Sequence, residues 1–223
     1  MRPRSLARLL VPPLILYLAA CARGPAARHF APASAADAGE ALSAWRDARE
    51  RAAALPPSRL LYDAHMGSSG LPSVPGTLAV TYDGRRIEAA SLTGPFGSHV
   101  AEYRDGAVTG ENKRAFVVDP DALRSVLAGV WTGEPAAVAG RDGDDYLLVW
   151  ETPPYRVEAV LDARERRVRS SVLSGPQGRL EIAYSGSVDP WPERVALRDA
   201  KSGRGLSLAR VAVEPLSGLR PPA

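Results

Sequence analysis

From Tyr146 to Glu214 the chain strings together six short strand-like runs with nothing helical between them. The runs are Tyr146 to Glu151, Arg156 to Asp162, Arg167 to Leu173, Arg179 to Ser185, Arg194 to Arg198 and Leu206 to Glu214, parted by turn-rich joints such as Gly175-Pro176-Gln177-Gly178 and Lys201-Ser202-Gly203. Parallel neighbours need long crossovers, so strands in direct succession predict an antiparallel meander. The first half adds to it. Residues 58 to 66 alternate Leu60, Tyr62, Ala64 and Met66 against Arg59, Leu61, Asp63 and His65, the period of a strand with one buried face. Thr77 to Tyr82 then turns at Asp83-Gly84 into Arg86 to Leu92, and further strands are expected at Val100 to Arg104, near Ala107 and at Arg114 to Val118. A sheet of about ten or eleven strands is expected from them. An antiparallel sheet of that size curls or closes, and an unclosed barrel is expected.

Two helices are predicted against this sheet. Asp37 opens the first, which runs to about Leu55 with Leu42, Trp45, Ala48, Ala52 and Leu55 on one face, and Pro56-Pro57 stops it. The second starts with Asp119 as N-cap and Pro120 at the first helical position, and carries the stripe Leu123, Val126, Leu127 and Val130. Helices on the concave side of a curved sheet enclose an apolar space. Leu42, Trp45, Leu123, Val126, Leu127 and Val130 are its candidate lining, although aromatic residues at helical spacing serve core packing equally well. The same two roles stand open for Trp131, which ends the second stripe.

The start of the chain has the parts of a secretory signal: basic Arg2, Arg4 and Arg8, an apolar run from Leu9 to Ala19, and small residues before Cys21. The run is too short to span a bilayer, which takes roughly 20 apolar residues, and Pro12-Pro13 interrupts it. Leu18-Ala19-Ala20-Cys21 resembles the bacterial lipobox, in which the cysteine receives lipid and becomes the mature N-terminus. That resemblance implies a signal peptide over 1–20, lipidated Cys21, an Ala- and Pro-rich tether over 21–36 and a domain over 37–223. The formal charge of +3, from 28 basic and 25 acidic residues, resides in the leader's three arginines; the remainder is balanced at 25 against 25. A nucleic-acid partner, which requires a concentrated cationic surface, is therefore not expected.

Chemistry-bearing constellations are sparse. His29, His65 and His99 have no metal-site spacing, no nucleophile elbow occurs, and Asp142-Gly143-Asp144-Asp145 lacks the spacing of a calcium loop and is expected to be a hairpin turn. Arg164, Arg166, Arg167 and Arg169 alternate with acids and are expected on a solvated turn. No cofactor, metal or catalytic activity is expected.

Three stretches resemble the LolA/LolB family of periplasmic lipoprotein carriers and receptors. Leu92-Thr93-Gly94-Pro95-Phe96-Gly97-Ser98 is similar to the receptor's protruding loop, with its exposed apolar residue. Lys113-Arg114 to Val130 resembles the strand and helix that follow, and Gly178 to Gly186 with Pro192 to Glu214 resembles the closing strands. The resemblance is closest to the outer-membrane receptor LolB. It implies an unclosed antiparallel barrel capped by helices, a monomeric, non-enzymatic outer-membrane lipoprotein facing the periplasm, and acylated lipoproteins with a LolA-like carrier as partners. Pro95, Phe96 and Gly97 become the loop that meets acyl chains or membrane. A Phe between Pro and Gly at a loop tip is expected to be exposed; folding back as a plug on the core is its other reading. Ala22 after the cysteine, where Asp would retain such lipoproteins at the inner membrane, favours outer-membrane placement. A structural or envelope-assembly lipoprotein of the same fold is the alternative function.

Overall fold

The computed structural model describes residues 28–68, 71–104, 106–110, 120–176, 178–188 and 191–216. The leader, Cys21, the first part of the tether, the expected strand at 114–118 and Asp119 lie outside them.

Twelve strands form one antiparallel sheet. In chain order they are β1 (Ser58–Ser68), β2 (Val74–Tyr82), β3 (Ile87–Thr93), β4 (His99–Arg104), β5 (Ala107–Thr109), β6 (Ala137–Asp142), β7 (Asp145–Thr152), β8 (Tyr155–Asp162), β9 (Arg167–Gly175), β10 (Gly178–Val188), β11 (Pro192–Asp199) and β12 (Arg204–Pro215). Their spatial order is β5-β4-β3-β2-β1-β12-β11-β10-β9-β8-β7-β6. Two meanders are thus sewn together by the first and last strands, with Ser58 opposite Pro215 and Ser68 opposite Arg204. β5 and β6 are the two edges and do not pair with each other, so the barrel is unclosed, as expected. The sequence reading had no strand at 137–142. That segment alternates poorly and is mostly exposed because it is an edge, paired along its length with β7 and otherwise bridged only at Arg141, by Ala31. The Asp142–Asp145 segment is the expected hairpin turn, closing β6 on β7.

The two helices are α1 (Ala35–Ala53) and α2 (Pro120–Ala128). α1 starts two residues before the expected Asp37. Ser34 is its N-cap: its Oγ accepts from the Asp37 amide at 3.2 Å, and the Asp37 carboxylate accepts from the Ser34 amide at 2.8 Å, a reciprocal capping box. Hydrogen bonds from Ser34, then from Arg141, hold Asp37 below the usual carboxylate range. The tether is also shorter than the composition implied, because Ala31 exchanges both backbone hydrogen bonds with Arg141 at 2.9 and 2.8 Å. The chain is therefore fixed to the end of β6 before α1 begins.

The core lies between the helices and one face of the sheet. Leu60, Tyr62, Ala64, Leu78, Val80 and Tyr82 reach it from β1 and β2, and Tyr146, Leu148 and Trp150 from β7. Tyr146 donates to Glu40 of α1 at 2.8 Å, and Trp45 meets Trp150 edge to face at a centroid distance of 6.3 Å. Opposite the core, Asp162 is buried and ties the β8–β9 turn together, accepting from the Glu165 amide and the Arg169 Nε, both at 2.9 Å. Arg166 and Arg167 are paired with Asp47 and Glu165, in keeping with a solvated turn.

Candidate functional site: the loop between β3 and β4

The loop is made by a backbone that cannot continue its ladder. Leu92 pairs with Ala101 but Thr93 with His99, so Val100 is an extra residue on β4 and the strand bulges. Bulges re-aim the chain at sheet ends. The turn itself is tight: Ser98 donates to the Pro95 carbonyl at 3.2 Å and Gly94 to the Ser98 carbonyl at 2.8 Å. Its two central residues both have positive φ, 58° at Phe96 and 75° at Gly97. That is the sign pattern of a type I′ turn, for which Asn-Gly is the favoured pair. Glycine at the second position costs nothing. A phenylalanine at the first is sterically disfavoured, by about 1–2 kcal/mol for an L-residue in this region.

Folding gains no contact in return. The Phe96 side chain is fully exposed, at 108% of its reference area, and is the most exposed large apolar side chain among the described residues. It is not a plug on the core. A strained and unpacked aromatic is unfavourable for folding and solubility alike, and both facts point to a surface it meets. Pro95 is half-buried at the base of the turn, and Gly97 is exposed beside Phe96. No Asp, Glu, Lys or Arg occurs from Ala89 to Ala101.

The candidate lining residues divide. Trp45, Leu123, Val126 and Leu127 are buried and belong to one core cluster. Leu42 is half-buried and off the buried face of α1, which Ala41, Ala44, Trp45 and Ala48 form instead. Val130 lies beyond the end of α2, half-buried, on a cleft it shares with Ala48, Ala52, Tyr184 and Pro192. Trp131 is core, donating to Ser171 at 3.0 Å. The Trp45 indole N–H and the Tyr62 hydroxyl are buried without a partner, so the interior holds polar donors as well as apolar surface. Burial pushes the Tyr62 hydroxyl up and keeps it protonated. The loop and these core residues are not brought together.

Leu71 and Val74 were missed. Leu71 is 70% and Val74 45% exposed, in the β1–β2 connection and at the start of β2, the strand that pairs with β3 ahead of the Phe96 loop. The available signal is a Leu between glycine and proline in a run without a charged residue, masked by the turn-rich composition of Gly67 to Pro75 ahead of the strand expected at Thr77. Among the described residues, no group of three metal-ligating side chains comes together, and no helix is long and apolar enough to cross a membrane.

In overall shape the chain matches a LolA superfamily protein from Nitrosomonas europaea, with a TM-score of 0.54 over 78% of this chain and 94% of that one. The fold is LolA-like. Sequence identity between the two is 11%, so the likeness is one of architecture. A putative outer membrane lipoprotein-sorting protein domain from Vibrio parahaemolyticus matches at a TM-score of 0.46 and 12% identity, over 80% of this chain and 93% of that one. A DUF1329 family protein from Desulfovibrio piger matches at 0.44 and 11%, over 80% and 94%. No protein-family model and no curated protein matches the sequence.

Proposed function

We propose that the protein is an outer-membrane lipoprotein, anchored through Cys21, that receives acylated lipoproteins from a LolA-like periplasmic carrier and helps insert them in the membrane. The observation that carries this reading is Phe96, an aromatic side chain held in an unfavourable backbone conformation with no contact of its own. Its closeness to the LolB branch rests on the loop string Leu92 to Ser98. The process needs no catalysis: acyl chains pass between apolar surroundings, each buried methylene contributing about 0.8 kcal/mol. The test is transfer of a lipoprotein from its carrier to the Phe96→Glu protein. Loss of transfer with unchanged folding is expected, and unchanged transfer refutes the role.

One observation favours a second reading. Trp45, Leu123, Val126 and Leu127 pack in the core, as they would in a same-fold envelope-assembly lipoprotein that binds a protein partner or a free lipid. Protein purified without detergent separates the two. Co-purified acyl lipid together with acceptance of lipoprotein supports the receptor; neither supports the assembly role.

A further inference from the structure

Strand direction alternates across the whole sheet, so successive hairpin connections fall at opposite ends of it. One end carries the connections β1–β2 (69–73), β3–β4 (94–98), β7–β8 (153–154), β9–β10 (176–177) and β11–β12 (200–203). The other carries β2–β3 (83–86), β4–β5 (105–106), β6–β7 (143–144), β8–β9 (163–166) and β10–β11 (189–191). The first set contains no Asp or Glu and a single cation, Lys201, with Arg204 opening the next strand. Among the described residues of the second set stand the acids Asp83, Asp144 and Glu165.

Exposed apolar side chains follow the same division. Leu71, Val74 and Phe96 all stand at the end whose hairpins lack acids, and of the large exposed ones among the described residues only Val211 does not. Register sets their two loops side by side: Met66 faces Val74 and Thr77 faces Thr93. The approach is so close that a Cβ on Gly76 would lie 2.3 Å from the Thr93 carbonyl oxygen. On the other flank Ser68 faces Arg204, which brings the basic β11–β12 turn against the Leu71 loop. The nearest acid, Asp199, is occupied by its own turn, accepting from the Lys201 and Ser202 amides at 2.8 and 3.2 Å.

We propose that this end of the sheet is a bilayer-docking rim, with Phe96, Leu71 and Val74 entering the acyl layer of an anionic phospholipid membrane and Lys201 and Arg204 at headgroup level. Separate apolar tips on adjacent turns suit a fluid apolar phase. A stable protein partner instead needs a continuous complementary face of about 800 Å². Carboxylates beside these tips would be desolvated and repelled by anionic headgroups; the hairpin connections at this end have none, and its exposed acids Glu134, ahead of β6, and Glu151, in β7, lie at the β6–β7 edge, away in strand order from the Leu71 and Phe96 loops. The inference goes beyond receipt of acyl chains, since docking holds whatever the cargo.

The test uses the full chain carrying Cys21→Ser, reconstituted in vesicles of phosphatidylcholine with or without phosphatidylglycerol. An environment-sensitive fluorophore is attached at Ser73→Cys, Ser98→Cys or, as the opposite end, Arg85→Cys, and lipids brominated in their acyl chains serve as quenchers. Blue-shifted, quenched emission is expected at 73 and 98 and not at 85. Lys201→Glu with Arg204→Glu should weaken docking to the anionic vesicles about thirty-fold or more, as each cation near such a surface is worth about a factor of five to ten. Unquenched probes at 73 and 98, quenching at 98 alone, or equal quenching at 85 would overturn the rim. Equal docking to both vesicle types would overturn the role of the cations. Quenching at both positions in a protein that accepts no lipoprotein would refute the receptor reading and leave the rim standing; transfer without quenching would do the reverse.

Discussion

Replacing Phe96 by Asn should raise the stability of the protein while impairing its handling of lipid. The side chain is fully exposed, so its removal forfeits no packing, and the backbone at φ 58° and ψ 24° is one that Asn tolerates and Phe does not. Relief of about 1 kcal/mol is expected from the penalty an L-residue carries there. For a domain of this size, that corresponds to a rise in Tm of about 2–4 °C. Thermal unfolding followed by circular dichroism, in buffer without lipid, measures the stability; acceptance of lipoprotein from a carrier measures the function. The informative outcome is the opposition of the two, a more stable protein that accepts less. A fall in Tm of several degrees would refute the reasoning, because it would mean that Phe96 packs against the fold and serves stability alone.

Other consequences follow from the core, the charged turn and the tether. Trp45 is fully buried against Trp150, so Trp45→Ala should cost about 3–5 kcal/mol in urea unfolding; a loss under 1 kcal/mol would mean that the indole lines open space instead. Burial pushes the Asp162 carboxyl up, but the Glu165 amide and Arg169 outweigh it and leave the group below the ordinary carboxylate range. A depressed carboxylate stabilises the fold above its unfolded value, near pH 4, and that contribution is lost as the pH falls through the lower folded value. Asp162→Asn should therefore destabilise the protein by about 2–3 kcal/mol at pH 7 and by much less near pH 3, read from denaturant midpoints at the two pH values. The first contacts among the described residues, Arg28 on Asp145 and Ala31 on Arg141, are at the sheet end opposite Phe96. Seven residues from Cys21 to Arg28 reach at most about 25 Å and ten to Ala31 about 35 Å, against about 25–35 Å for the height of the sheet, so the tether spans it only when fully extended. Deleting residues 23–27 should leave Cys21 lipidated and abolish quenching at position 98; retained quenching would contradict the orientation.

The fold was legible because its period is two almost everywhere the core is buried. Leu60, Tyr62 and Ala64 announce β1, and all three are fully buried. β6 was not legible, since an edge strand with one strand neighbour and no buried row has no alternation to show. α1 was placed two residues late because Asp37 has the composition of an N-cap; only the reciprocal bond to Ser34 reveals it as the third residue of the helix. Leu42 fell on the wrong side of α1 for a related reason: alanines at 41, 44 and 48 form the buried face, and small residues weigh little in a hydrophobic pattern. At the site, the exposure of Phe96 could be anticipated from its neighbours Pro95 and Gly97. Its left-handed backbone could not, nor could its company. Leu71 and Val74 join it only through the pairing of β1, β2 and β3, a tertiary fact that no local string encodes.

The most direct test places a photoreactive phenylalanine analogue at position 96 and illuminates the protein while a carrier delivers an acylated lipoprotein. The account predicts a covalent adduct between position 96 and the lipoprotein's acyl chains, and none when the analogue replaces Arg85 at the opposite end of the sheet. Transfer that proceeds with no adduct at 96, or with equal adducts at both positions, would contradict it.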